Sequence, residues 1–93
     1  MDTKGFSRIP PCGSLPDLTG FRIVVGAKQL RKALQKGTVQ RVFLAENADP
    51  AITEPLAAIC ESSGIPACWS ATMADLGKAC GIEVGAAAAA VID

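Results

Sequence analysis

Phe21-Arg22-Ile23-Val24-Val25-Gly26 followed by Ala27-Lys28-Gln29-Leu30-Arg31-Lys32-Ala33-Leu34-Gln35-Lys36-Gly37 is the stretch on which the fold reading turns. Its first part is β-branched and closed by glycine, as a buried strand is. From Ala27 the period changes. Leu30, Ala33 and Leu34 recur at helical spacing, and the charged and amide residues occupy the rest of the cylinder. Gly37 ends the helix as a left-handed cap residue would. A strand followed at once by a helix predicts a layered α/β domain, and the pattern repeats downstream.

Val39 to Ala45 reads as a second strand, and its run Val42-Phe43-Leu44-Ala45 suggests burial on both faces, as in a central strand. Asn47-Ala48-Asp49-Pro50 reads as a turn, with Thr53 as N-cap of a helix that carries Leu56, Ile59 and Cys60 on one stripe and stops at Gly64. Ile65 to Trp69 is a short third strand, with Pro66 at its start or on an edge. Thr72 caps a third helix through Leu76, Ala79 and Cys80, broken by Gly81. Gly85 to Asp93 is alanine-rich and ends in Val91-Ile92. Its five alanines favour helix by propensity, but the segment is short and uncapped. The alternation of elements reads it as the remaining strand, its small side chains letting helices pack close to the sheet. Residues 1–20 form a leader rich in proline and glycine, in which Ser14 to Leu18 allows one helical turn. Residues 21–93 form the single domain.

The chain has 93 residues, nine Lys+Arg against nine Asp+Glu, and 49% hydrophobic residues. This supports one core and disfavours a globally basic nucleic-acid binder or a disordered chain. No histidine is present, which removes the usual neutral-pH acid–base catalyst and the commonest zinc ligand. Ser62, Ser63 and Ser70 therefore have no catalytic partner, and no phosphate-binding glycine motif occurs. Neither a catalytic residue, a metal site nor a cofactor is expected. Cys12, Cys60, Cys68 and Cys80 form no C-x-x-C pair. The last three lie in apolar runs and are expected to be free core thiols, although two disulfides are possible in number and would require an oxidising compartment. The leader lacks an apolar secretory core, and the run Ala86 to Ile92 is too short to span a bilayer. A reduced, cytoplasmic protein without membrane association is the expectation.

The neutral total hides an uneven charge map. Arg22, Lys28, Arg31, Lys32, Lys36 and Arg41 put six cations and no anion into residues 22–41. Lys4, Arg8 and Lys78 are the remaining cations, against all nine anions. Two readings fit: solvated lysine-rich helix faces, or a phosphate-binding face. Lys28 in a first helical turn opposes the macrodipole, a choice easier to understand if the helix start faces an anion. Lys28 and Gln29 also suit purine edges. Ile82 and Val84, bracketed by Gly81 and Gly85, either cover the core edge or form an apolar lip for a splayed-out base.

Gly26-Ala27-Lys28-Gln29-Leu30-Arg31-Lys32-Ala33-Leu34 with Gly37, and Leu76-Gly77-Lys78-Ala79-Cys80-Gly81-Ile82-Glu83-Val84, resemble two signature blocks of one family. It is the "seven-Ae/thirty-e" family of large-subunit ribosomal proteins, whose members bind kink-turn RNA. The Lys28-Gln29 pair is similar to bacterial YbxF/YlxQ-type members and the thirty-e branch, where archaeal kink-turn binders usually carry Asn-Glu. The resemblance covers residues 21–93. It implies a three-layer α/β/α sandwich around a mixed four-stranded sheet, and RNA-binding residues at Gly26, Lys28, Gln29, Lys32, Lys36, Lys78, Ile82, Glu83 and Val84. In that picture Lys28 and Gln29 contact guanine edges or the adjoining backbone, and Lys32 contacts phosphate. Gly26 lets the backbone approach, while residues 82–84 receive the extruded nucleotide. The implied partner is structured RNA such as a kink-turn, including ribosomal RNA and the ribosome, bound by a monomer. The family's first helix precedes the first strand, and this leader can supply only a short one, so that layer is expected to be incomplete or differently covered. A different class of function remains open: a protein-interaction module on the same scaffold.

Overall fold

The computed structural model describes residues 9–93 in the order β1 (Ile23–Val25), α1 (Ala27–Lys36), β2 (Val39–Ala45), α2 (Pro50–Ser63), β3 (Ala67–Ser70), α3 (Met73–Ala79) and β4 (Ala88–Ile92). The first part of the leader, with Lys4 and Arg8, lies outside the described residues. The sheet order is β1-β4-β2-β3. Strand β4 runs antiparallel to both neighbours, and β2 pairs with β3 in parallel, so the sheet is mixed. The alanine-rich C-terminal stretch is thus a central strand. Ala88, Ala89 and Ala90 are fully buried, as are Val42, Phe43, Leu44 and Ala45 opposite them.

Helices cover both faces. Leu30 and Leu34 of α1 and Leu56, Ala57 and Cys60 of α2 pack on Val42, Leu44, Ala88 and Ala90. On the other face, Leu76 and Cys80 from the α3 region pack with Leu18 on Phe43, Ala45 and Ala89. The expected three-layer α/β/α sandwich is therefore present as a single domain. Its third layer joins one helix to the leader.

Several local expectations need correction. Helix α2 begins at Pro50, not after Thr53. Asp49 is the cap, its Oδ1 accepting the Ala51 N–H at 2.9 Å. Pro50 follows at a position where a missing N–H costs nothing, and Thr53 is buried one turn in. Strand β1 starts at Ile23, leaving Phe21 57% exposed. Residues 14–18 form no helix. The leader instead runs beside β3: Trp69 N–H donates to the Pro10 carbonyl at 2.9 Å, and Cys12 N–H to the Trp69 carbonyl at 2.8 Å. Pro11, lacking a donor, fits such an edge position. Trp69 itself packs in the α2 layer.

The cysteine expectation is corrected most. Cys68 is not a free thiol but is joined to Cys12 by a disulfide across 56 residues of sequence. Cys60 and Cys80 are free and buried, as expected. Burial, helped by the neighbouring Glu61 charge, pushes the Cys60 thiol up to about 11, and burial raises Cys80 as well. Both stay protonated near neutral pH, where a thiol is a poor nucleophile.

Candidate nucleic-acid interface

The site begins where β1 turns into α1. Gly26 has φ 99° and ψ 148°, a backbone region that side chains disfavour. Its N–H donates to the Ala88 carbonyl at 2.8 Å, and its own carbonyl accepts the Leu30 N–H at 3.0 Å. The N–H groups of Ala27, Lys28 and Gln29 between them have no intrahelical partner. No side chain caps the helix, and its first turn holds no acidic residue. Lys28, Lys32 and Lys36 then follow at four-residue spacing, all exposed. Like charges at that spacing cost a helix roughly 0.2–0.5 kcal/mol per pair. Both features work against the isolated helix and both are relieved by a bound polyanion.

The second half of the site is the loop from Gly81 to Gly85. It lies directly on α3: Ile82 N–H donates to the Gly77 carbonyl at 3.0 Å, and Ala86 N–H to the Met73 carbonyl at 3.0 Å. A Cβ on Gly77 would fall 2.0 Å from the Val84 carbonyl oxygen, so only glycine admits this approach. With its backbone seated this way, the loop leaves Ile82 36% and Val84 70% exposed. They are two of the four large hydrophobic residues so exposed among the described residues. The loop leads into Ala88, whose carbonyl takes the Gly26 N–H. The start of α1 and the apolar loop therefore share one end of the sheet. Asn47 steadies that end, its Oδ1 accepting the Met73 N–H at 2.8 Å.

The expected residues divide by position. Gly26, Lys28, Gln29, Ile82, Glu83 and Val84 lie at this end, and the side chains from Lys28 to Val84 are exposed or at its edge. Lys32 sits one turn up α1, roughly 6 Å along the axis from Lys28. Lys36 is in the last turn, roughly 12 Å from Lys28, where a cation suits the helix dipole. Lys78 lines a separate 530 Å³ cleft with Leu15, Asp17, Thr19 and Ser70, which none of the other expected residues enters.

The six cations of residues 22–41 also do not form one face. Arg22 donates from Nη1 to the Asp93 carbonyl at 3.0 Å, at the opposite end of the sheet. Arg41 stands 5.1 Å over the ring of Phe43, on the α3 side. Four cations remain together on α1, Lys28, Arg31, Lys32 and Lys36, and Arg31 joins the three expected as RNA-binding residues. Gly77 and Asn47 support the loop end of the sheet without standing among the expected RNA-binding residues. A glycine inside a seven-residue helix was the available signal for the first.

Residues 19–93 match the ribosomal protein L7Ae/L30e/S12e/Gadd45 family. An RNA-binding protein of Bacillus pumilus is 43% identical over 70 residues, which span 75% of this chain and 85% of that protein. The RNA-binding protein YbxF of Geobacillus stearothermophilus is 42% identical over 75 residues, 81% of this chain and 92% of its own. Among solved structures, the 15.5kD RNA binding protein of Giardia lamblia superposes with a TM-score of 0.72 at 30% identity. That match covers 77% of this chain and 61% of the Giardia chain, so the present chain spans about three fifths of that protein. A protein of unknown function from Bacillus halodurans has a TM-score of 0.69 at 29% identity, over 77% of this chain and 72% of its own.

Proposed function

The chain belongs to the ribosomal protein L7Ae/L30e/S12e/Gadd45 family, and from this we propose an RNA-binding protein, not an enzyme, that recognises a kink-turn or related internal loop. The observation that carries the reading is the meeting of an uncapped, cationic helix start with an apolar loop at one end of the sheet. A regular RNA major groove is too narrow for side chains, whereas a kinked internal loop opens it and extrudes a base. The free N–H groups of residues 27–29 and the ammonium of Lys32 would take phosphate oxygens. Lys28 and Gln29 would donate to guanine edges, and Gly26 keeps the approach clear. The extruded base would rest on Ile82 and Val84, with Glu83 accepting from a base amine. Lys36 and Lys78 lie further out and would meet flanking backbone.

On this reading residues 21–93 are the RNA-binding unit, the protein acts as a monomer without a cofactor, and ribosomal RNA or the ribosome is the setting. A cytoplasmic site of action rests on that ligand alone, because the Cys12–Cys68 disulfide contradicts the expected reduced state. No helix among the described residues is long and apolar enough to cross a membrane.

Titration against a kink-turn duplex and against one with its G·A pairs replaced by Watson–Crick pairs tests the reading. The kink-turn should bind at least about tenfold more tightly, a difference of about 1.4 kcal/mol. Equal affinities would leave only general electrostatic binding. In the same titration Lys32→Ala should lower the magnitude of the salt slope by about one. An unchanged slope would remove Lys32 from the interface.

A further inference from the structure

The 81–85 loop is held from one side by Gly77, and a second contact reaches it from the leader. Leu18 is 1% exposed, and its N–H donates to the Ala79 carbonyl at 2.9 Å, fixing the end of the leader against α3. The next residue, Thr19, is itself held. Asp17 Oδ1 accepts from the Thr19 N–H at 3.0 Å and from its hydroxyl at 2.7 Å. Those two bonds keep the Asp17 carboxyl below its ordinary range. So oriented, Thr19 Cγ2 sits where a Cβ on Gly81 would lie only 2.6 Å away. Gly81 has φ 80° and opens the loop that carries Ile82 and Val84. Upstream, the leader is fastened to β3 by the Cys12–Cys68 disulfide and two backbone hydrogen bonds.

We propose that Thr19 is a positioning residue for RNA binding, bracing the 81–85 loop through its methyl contact with Gly81. Gly77 supports the loop from α3, and Thr19 bears on its first residue. Without the methyl, Gly81 gains room to shift, and the exposed apolar pair moves relative to the fixed start of α1. The residue would touch no RNA and act only through the loop. The family match begins at Thr19, and Asp17, which orients it, lies just before that match. The proposal rests on the RNA-binding reading above.

The test compares the full chain with Thr19→Ala and Thr19→Val, measuring kink-turn RNA affinity and amide hydrogen exchange at Ile82. Thr19→Ala should weaken binding by about threefold to tenfold, the scale of couplings carried by residues that do not touch the ligand. It should also speed exchange of the Ile82 amide, which is bonded to Gly77. Thr19→Val keeps the β-branched shape, a methyl at the same place and the backbone N–H bond to Asp17, and should recover both. Unchanged affinity or unchanged exchange in Thr19→Ala would overturn the proposal, as would failure of Thr19→Val to rescue. If the unmodified protein binds no kink-turn RNA, the functional reading fails. The exchange data then decide separately whether Thr19 braces the loop.

Discussion

Gly77→Ala should lower RNA affinity by at least about tenfold, a loss of about 1.4 kcal/mol, while the protein still folds. Two effects oppose each other at this position. Alanine favours a helix over glycine by about 1 kcal/mol. Against that, the new Cβ would stand 2.0 Å from the Val84 oxygen, 3.0 Å from the Val84 carbonyl carbon and 3.2 Å from Gly85 Cα. All three are backbone atoms, and no side-chain rotation relieves them. Overpacking of this kind costs about 1–3 kcal/mol when the structure must absorb it. The exposed loop is easier to move than the buried helix, so displacement of residues 82–84 wins. A melting curve shifted by only a few degrees beside a large affinity loss is the expected pair of results. Undiminished affinity would mean that the loop position does not matter to the ligand.

Removal of the Cys12–Cys68 disulfide should cost the most stability of any change considered. The bond closes a span of 56 residues, and restricting a denatured chain over such a length stabilises the native state by roughly 2–4 kcal/mol. For a domain of this size that corresponds to a fall in Tm of roughly 10–25 °C. Thermal melts in the presence and absence of a dithiol, with Cys12→Ser as control, measure it. The reductant should destabilise the parent and leave Cys12→Ser unaffected, because Cys60 and Cys80 form no bond to reduce. Equal melting of parent and variant would show that the disulfide contributes nothing.

The strand-to-helix change of period at Gly26 is a local property of the chain, as are the patterns of β2 and the alanine-rich β4, so the sequence shows all three. The start of α2 is equally local, but Thr53 presents a competing cap signal three residues into it. Asp49-Pro50 is a good cap followed by a good first residue, and its turn-like composition concealed that. The leader was illegible for a different reason. Its prolines exclude a regular helix but say nothing about where an irregular segment docks. Its path depends on Leu18 finding the α3 face and Cys12 finding Cys68. The disulfide could not be foreseen from spacing, since the partners are remote in sequence and Cys68 sits in an apolar run.

The charge map shows the same division. The cations of α1 share one exposed helix surface, because helical periodicity fixes which residues lie together there. Arg22 and Arg41 are close to them in sequence only, since the topology sends one to the far end of the sheet and the other to the far face. The site is consequently smaller than the charged segment. It is completed by a loop more than fifty residues downstream, whose placement depends on Gly77.

Amide chemical-shift mapping of the full chain with a kink-turn RNA asks whether those two parts act as one site. Gly26 to Gln29 and Ile82 to Val84 should shift together at a common saturation point, while Arg22 and the residues around Arg41 stay still. Shifts centred on the Lys78 cleft or the Arg41 face, with the α1 start unmoved, would contradict a single interface at that end of the sheet.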